Sequence, residues 1–375
     1  MKKLGIISAL LLLLLAVGCR EEAIEINSIE DFEAFLEAEM DEQNIPAAAV
    51  LIFRGEEVLY EKYAGFSNLE QEVALQPDHL FLTASISKVV TAIALLKLYD
   101  EGAFELDAPV NDYLPFEVNV PGYTQSITFR MLLTHTSGIA DNDSVMDEQY
   151  YYGEDPPVSL SFFIENYLSQ GGQFYDADEN FYDFEPGTDY EYSNIGSALI
   201  GVLVEEISGL DFNDYCKAAI FSPLELSHTS WRLDEILGRI VTPYDDIGGQ
   251  NEPIAHYTNA DYPNGGLRTT ARDLHKIAAA LASDGQLAGV SLLKPATAQA
   301  MMTPQIADID DEVGLHLFEL YKPDALWGHD GGEQGVATIM GFNRSAKTGV
   351  IILTNQGEAY LEDLFVGAYQ LGVKL

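Results

Sequence analysis

The apolar positions of the chain fall into helical and strand periods that change character several times. Ser28 is followed by Ile29, Phe32, Phe35, Leu36 and Met40, apolar residues at helical spacing behind a good capping residue, and a helix is predicted over 28–43. Residues 47–53 and 58–66 predict two strands of a hairpin that turns at Arg54-Gly55-Glu56-Glu57. Over 86–99 nearly every position is apolar, as in a helix buried on all faces. Further helices are predicted over 128–133, 160–168, 195–208 (closed by Gly209), 211–220 and 270–282, the last capped by Thr270 with Asp273 three residues on. The chain ends with strands over 335–342 and 349–354, a turn over 343–348 between them, and a helix over 360–371. Strands at both ends with helices between them predict an α+β fold. An antiparallel sheet is built from both chain ends and flanked by helices, with a mostly helical second subdomain over about 107–320.

Two segments depart from this pattern. Met1-Lys2-Lys3 and the apolar run 6–17 form a basic start and a stretch too short to span a membrane as a mature helix. Ala16-Val17-Gly18-Cys19 then resembles a bacterial lipobox, with Ala16 where Leu is usual. The expected organisation is a lipoprotein signal peptide over 1–18, a lipid anchor on Cys19 with a short linker to 27, and one folded domain over 28–375. An ordinary secretory signal cleaved nearby is the alternative. Residues 141–191 are rich in Asp, Glu and Tyr and predict a surface excursion carrying the 160–168 helix, with the length of a lid or binding loop. Within it, Asp176-Ala177-Asp178-Glu179-Asn180 starts a calcium-loop spacing, but Phe181 stands where Gly is needed and Gly187 where the closing Glu belongs. A solvated acidic loop is the expectation there.

Composition narrows the partners. The chain carries 19 Lys and Arg against 60 Asp and Glu, a formal net charge of −41. Such a surface repels nucleic acid and anionic headgroups, so no nucleic-acid partner is expected; it suits high salt, or neutral or cationic substrates. If Cys19 carries lipid, Cys216 is the one thiol left. Its place in an amphipathic helix predicts a packed structural residue.

The candidate chemistry starts at Ser85-Ile86-Ser87-Lys88, where the apolar helix begins. Serine and lysine three residues apart share a helix face. Apolar surroundings push the Lys88 ammonium towards its neutral form, which sets a base beside a nucleophile. Tyr192-Ser193-Asn194 follows Glu185-Pro186-Gly187 and precedes a helix, and His329-Asp330-Gly331-Gly332 precedes the predicted strand pair. In this order the three motifs resemble the signature elements of serine β-lactamases and penicillin-binding proteins. The match is nearest the branch of class C β-lactamases, D,D-carboxypeptidases, D-aminopeptidases and related esterases. The resemblance covers nearly the whole mature chain and includes Leu133-Thr134-His135-Thr136-Ser137-Gly138 and the Gly265–Leu274 segment.

The resemblance implies a serine hydrolase with no metal or organic cofactor, acting on a small-molecule or peptide acyl substrate in the cell envelope. Ser85 would be the nucleophile, Lys88 and Tyr192 would share the proton transfers, and Asn194 would orient Lys88 and bind substrate. The backbone N–H groups of Ser85 and Gly332 would form the oxyanion hole, with His329, Asp330 and Gly331 binding substrate. Two positions depart from the class C pattern: His329 stands for the usual Lys, and Asp330 for the usual Thr or Ser. An ionised Asp330 would repel the carboxylate of a β-lactam or a C-terminal D-residue, so weak activity on both is expected, unless Asp330 turns away and bonds locally. Three alternatives remain: an idle peptidoglycan-binding or sensor domain of the same fold, a true β-lactamase or D,D-carboxypeptidase, and a protein-binding surface on 141–191. No Gly-x-Ser-x-Gly, His-Glu-x-x-His or Walker motif points to another enzyme class.

Overall fold

The computed structural model describes residues 25–236 and 239–375, so the predicted signal peptide and Cys19 lie outside the described residues. Seven strands form one sheet in the order Phe318–Tyr321, Leu326–Glu333, Val336–Asn343, Thr348–Thr354, Ala47–Arg54, Glu57–Asn68 and Val73–Ala74. Every neighbouring pair is antiparallel. The strands come from both ends of the chain, as the sequence predicts.

The Ala47–Arg54 strand explains why its sequence does not alternate. Ala49, Leu51 and Phe53 enter the large core shared with the helical layer. Ala48, Val50 and Ile52 enter a second core with Phe32 and Leu36 of the Ile29–Glu42 helix and Leu364, Phe365 and Ala368 of the Glu362–Lys374 helix. A strand covered on both faces reads as a continuous apolar run. The Ile29–Glu42 helix starts where expected, with the Ser28 hydroxyl accepting from the Asp31 N–H at 3.1 Å. On the other side of the sheet, the buried Ser87–Asp100 helix packs against the Asn194–Ser208 helix.

Three segments differ from expectation. The His329-Asp330-Gly331-Gly332 motif lies inside the Leu326–Glu333 strand rather than ahead of the strand pair. Three glycines in eight residues hide the β pattern. Gly328 is needed there because a Cβ would overlap the Met340 carbonyl across the ladder. The 211–220 helix splits into an α-helix, Phe212–Cys216, and a π-helical turn, Lys217–Phe221. Cys216 is buried and has no disulfide partner among the described residues, its thiol pushed up by burial.

The acidic excursion carries the Leu160–Leu168 helix but is pinned from within rather than merely solvated. Asn180 is fully buried and its amide donates to the carbonyls of Tyr167 and Phe174, both at 2.9 Å. Asp176 accepts from the N–H groups of Asp178 and Glu179 at 2.9 and 3.2 Å, a local turn that uses one of its oxygens.

Candidate active site

Ser85 sits in a 3-10 turn, Ala84–Ile86, that runs directly into the Ser87–Asp100 helix. Ala84, just before it, has φ +46°, a left-handed conformation that costs a residue with a Cβ energy. The turn is held against the Leu267 backbone. The Thr83 N–H and hydroxyl donate to the Leu267 carbonyl at 2.9 and 3.1 Å, and the Ser87 hydroxyl accepts from the Leu267 N–H at 3.1 Å.

One helical turn on, the Lys88 ammonium is fully buried and has three oxygen partners: Ser85 Oγ at 3.1 Å, Asn194 Oδ1 at 2.7 Å and the Asn264 carbonyl at 2.8 Å. Burial lowers its pKa to about 7, against the opposing pull of Asp141, Asp261, Glu333 and Asp330. Tyr192 packs beside it, with Lys88 Nζ 4.9 Å from the ring centroid and the ring stacked on His135 at 4.4 Å. Burial drives the phenol far above its ordinary range and Ser85 pulls the other way, although the hydroxyl makes no well-formed hydrogen bond.

Asn194 opens its helix behind the Ser193 cap, whose hydroxyl accepts from the Gly196 N–H at 2.8 Å. The half-buried carboxylate of Asp141 grips this helix start. Its oxygens accept from the Asn194 and Ile195 N–H groups at 2.9 and 3.0 Å and from Asn194 Nδ2 at 2.8 Å. The amide is thereby fixed with its nitrogen on Asp141 and its oxygen on Lys88. Asp141 is a positioning residue that the sequence reading missed, because it looks like the first residue of the acidic excursion. The only hint was its place three residues after Gly138.

Asp261 and Asn264 support the other side of Lys88 and were also missed. Asn264 Nδ2 donates to the Asp261 carboxyl at 2.5 Å, and burial raises that carboxyl to about 7. His135 and His316 complete the surroundings of Tyr192. The His135 ring takes the Ser193 N–H on Nδ1 at 3.1 Å, His316 Nε2 lies 3.2 Å from Ser197 Oγ, and the two rings lie 4.7 Å apart. Burial holds both well below the ordinary histidine range.

The Leu326–Glu333 strand closes the site. Gly331 passes so close to the Ser85 turn that a Cβ would lie 2.5 Å from Thr338 Oγ1, 2.7 Å from the Thr83 carbonyl and 2.9 Å from the Ser85 N–H. A Cβ at Gly332 would meet nothing within 4 Å. The strand is paired with Phe318–Tyr321 only up to Gly328, which leaves its 329–333 edge without a partner strand among the described residues. The Asp330 side chain is 75 % exposed, with Oδ1 3.7 Å from His329 Nδ1. It stands at the rim and does not fold back into the protein.

Ser85, Tyr192, His329, Asp330, Gly331 and Gly332, with Tyr190 and Phe318, line an open pocket of about 420 Å³. The structure therefore brings the residues singled out in the sequence, Cys19 apart, to one place. It seats Lys88 and Asn194 directly beneath that pocket.

A buried lysine under a pocket serine, between an antiparallel sheet and a helical subdomain, defines a class in which chain comparison agrees. The beta-lactamase family model matches residues 32–366, and the chain belongs to that family. Penicillin-binding protein 4 of Amycolatopsis lactamdurans is 29% identical over 341 residues, 86% of this chain and 85% of that protein. The octameric penicillin-binding protein homologue of Pyrococcus abyssi superposes with a TM-score of 0.74 at 23% identity, over 92% of this chain and 78% of that one. EstCE1, a hydrolase with promiscuous acyltransferase activity, superposes with a TM-score of 0.71 at 18% identity, over 92% and 97% of the two chains. At these identities the two structures speak for the shared fold.

Proposed function

We propose that the protein is a serine hydrolase that cleaves an ester or amide, or a D-amino-acid peptide, through an acyl-Ser85 intermediate. The observation that carries this reading is the buried Lys88 amine 3.1 Å from Ser85 Oγ. With its pKa lowered to about 7, Lys88 is free of its extra proton in a large share of molecules at neutral pH and can accept the Ser85 proton. Tyr192, whose phenol holds its proton tightly, is suited to donate to the leaving group.

In the acylation step Ser85 Oγ bonds to the carbonyl carbon and its proton moves to Lys88. The bond to the leaving group breaks as Tyr192 protonates it, and the Tyr192 proton is restored from Lys88. Water then repeats the sequence on the acyl-enzyme. The backbone N–H groups of Ser85 and Gly332 would hold the oxyanion, and glycine at 332 leaves room for the substrate. His329, Asp330 and Gly331 would contact the substrate, and Asn194 would orient Lys88 beneath it.

The Asp330 carboxylate at the rim supports weak action on β-lactams and on peptides ending in a D-residue. Asp330→Thr is expected to raise the rate of penicillin acylation by about fivefold, since it removes a close like-charge repulsion worth on the order of 1 kcal/mol at an exposed site. Stopped-flow acylation of the two proteins measures this, and wild-type penicillin turnover at the level of a dedicated β-lactamase would refute the reading. We further propose that Cys19 carries the lipid that holds the enzyme on a cell-envelope membrane, facing the periplasm or exterior. Cys19→Ser should move the protein from the detergent phase to the aqueous phase in a Triton X-114 separation, and an unchanged partition would exclude the anchor.

A further inference from the structure

We propose that the tyrosine-rich excursion braces the oxyanion hole: Tyr150 and Tyr152, with Tyr257, hold the tip of the hairpin behind Ser85 and so fix the Gly332 N–H beside that of Ser85. These positioning residues rest on the hydrolase reading above and deepen it. The hairpin joins Leu326–Glu333 to Val336–Asn343, and its Gly331-Gly332 stretch has little support of its own. Beyond Gly328 the first strand has a ladder on one side only among the described residues. Gly331 and Gly332 have no side chains to pack, and a Cβ at Gly332 would meet nothing within 4 Å. Glycine on an open strand edge has many accessible conformations. A donor that must meet a developing charge without reorganising needs support from elsewhere.

The excursion supplies it. Its Tyr150–Tyr152 strand pairs antiparallel with Tyr257–Asn259, with Tyr152 opposite Tyr257. Alternation puts Tyr150 and Tyr152 on one face, and the three rings gather there with centroids 5.4 to 6.5 Å apart. All three hydroxyls are spent on the hairpin tip. Tyr150 donates to Glu333 Oε1 at 2.9 Å, Tyr152 to Gln334 Oε1 at 3.0 Å and Tyr257 to the Gln334 carbonyl at 2.8 Å. Glu333 Oε1 also accepts from the Gln334 N–H at 2.9 Å, which fixes the side chain that follows Gly332. Gly335, at φ +72°, completes the turn and donates its N–H to Asp245 at 3.0 Å. The same tyrosines reach the other half of the hole. Tyr257 is buried with Leu82, Ala84 and Val336, and Tyr150 packs against them. Ala84 precedes Ser85, and Val336 is the cross-strand partner of Glu333. One group of tyrosines therefore braces the chain next to both N–H donors.

Tyr150→Phe keeps the ring and removes the donor, so it tests the brace in the full-length protein. At a pH well above the Lys88 limb, its kcat/KM on p-nitrophenyl benzoate should fall about tenfold, part of the roughly 10²–10³ that loss of a whole oxyanion donor costs. Glu333→Gln, whose amide oxygen still accepts from Tyr150, should stay within about twofold of wild type, while Glu333→Ala falls like Tyr150→Phe. The readout specific to the oxyanion is O-p-nitrophenyl thionobenzoate, whose sulfur is a poor hydrogen-bond acceptor. Its rate should change within about twofold in Tyr150→Phe, so the preference of wild type for the ester shrinks. No loss, or a loss shared equally by ester and thionoester, overturns the proposal. An arm without turnover separates the brace from the hydrolase reading. In Ser85→Ala protein, adding Tyr150→Phe should speed hydrogen exchange in the 329–336 peptide about tenfold and leave the Ala47–Arg54 strand unchanged. Equal exchange overturns the brace whether or not wild type turns over any ester. Failure of wild type to hydrolyse p-nitrophenyl benzoate, with that exchange difference present, would instead count against the hydrolase reading.

Discussion

Ser85→Ala lowers the turnover of every acyl donor by about 10⁴-fold or more, because no covalent intermediate can form and the groups that act with a nucleophile contribute little without it. The fold should survive the change. Ser85 Oγ is one of three partners of Lys88, which keeps Asn194 Oδ1 at 2.7 Å and the Asn264 carbonyl at 2.8 Å. Steady-state hydrolysis of a p-nitrophenyl ester, with a thermal melt on the same sample, checks both halves. A Ser85→Ala protein with more than a few per cent of wild-type rate would place the nucleophile elsewhere.

The second large effect concerns Lys88. Its replacement by Met removes the base and should cost about 10³-fold in kcat/KM, within the usual range for general-base catalysis. In wild type, kcat/KM should rise with pH along a limb centred near 7, since protonated Lys88 cannot accept the Ser85 proton. Asp141→Asn should move that limb to lower pH, because its carboxylate is the largest of the charges holding the proton on Lys88. Asp261, Glu333 and Asp330 act in the same direction. Neutral His135, His316 and His329 stand near by and stay uncharged across the limb, being held below their ordinary range.

The stability effect of Lys88 follows from the same proton. Between about 7 and 10.5 the unfolded chain keeps a proton that the folded chain has lost, so folding is favoured progressively as pH rises through that window. Denaturant unfolding of wild type and Lys88→Met at pH 6.5 and 9.5 should show the difference between them moving in favour of wild type at the higher pH. A constant difference would mean that Lys88 keeps its ordinary affinity for protons in the folded protein.

What could be seen in the chain was whatever a local pattern encodes. Ser85 and Lys88 were legible because helical spacing sets them one turn apart, and Tyr192 and Asn194 because Pro186-Gly187 ends one segment and a capped helix starts the next. The sheet was legible from apolar strands at both ends. The Leu326–Glu333 strand was not legible, because glycine at 328, 331 and 332 serves close backbone approach and removes the β signal. Asp141 was hidden among acidic residues that it does not resemble in burial, and the Asn264 carbonyl, a partner of Lys88, has no side-chain signature. His316 reaches Ser197 across 119 positions, a contact that only the folded topology creates. Asn180 read as a loop residue because nothing in its neighbours shows that its amide is enclosed.

The central claim is that Ser85 becomes acylated and is then released. Intact-mass spectrometry of the protein mixed with a p-nitrophenyl ester, sampled from milliseconds to minutes, tests it most directly. The expected result is an adduct of one acyl mass that maps to the peptide containing Ser85, decays as free acid appears, and is absent in Ser85→Ala. An adduct on another residue, or hydrolysis with equal adduct in Ser85→Ala, would contradict an acyl-Ser85 mechanism.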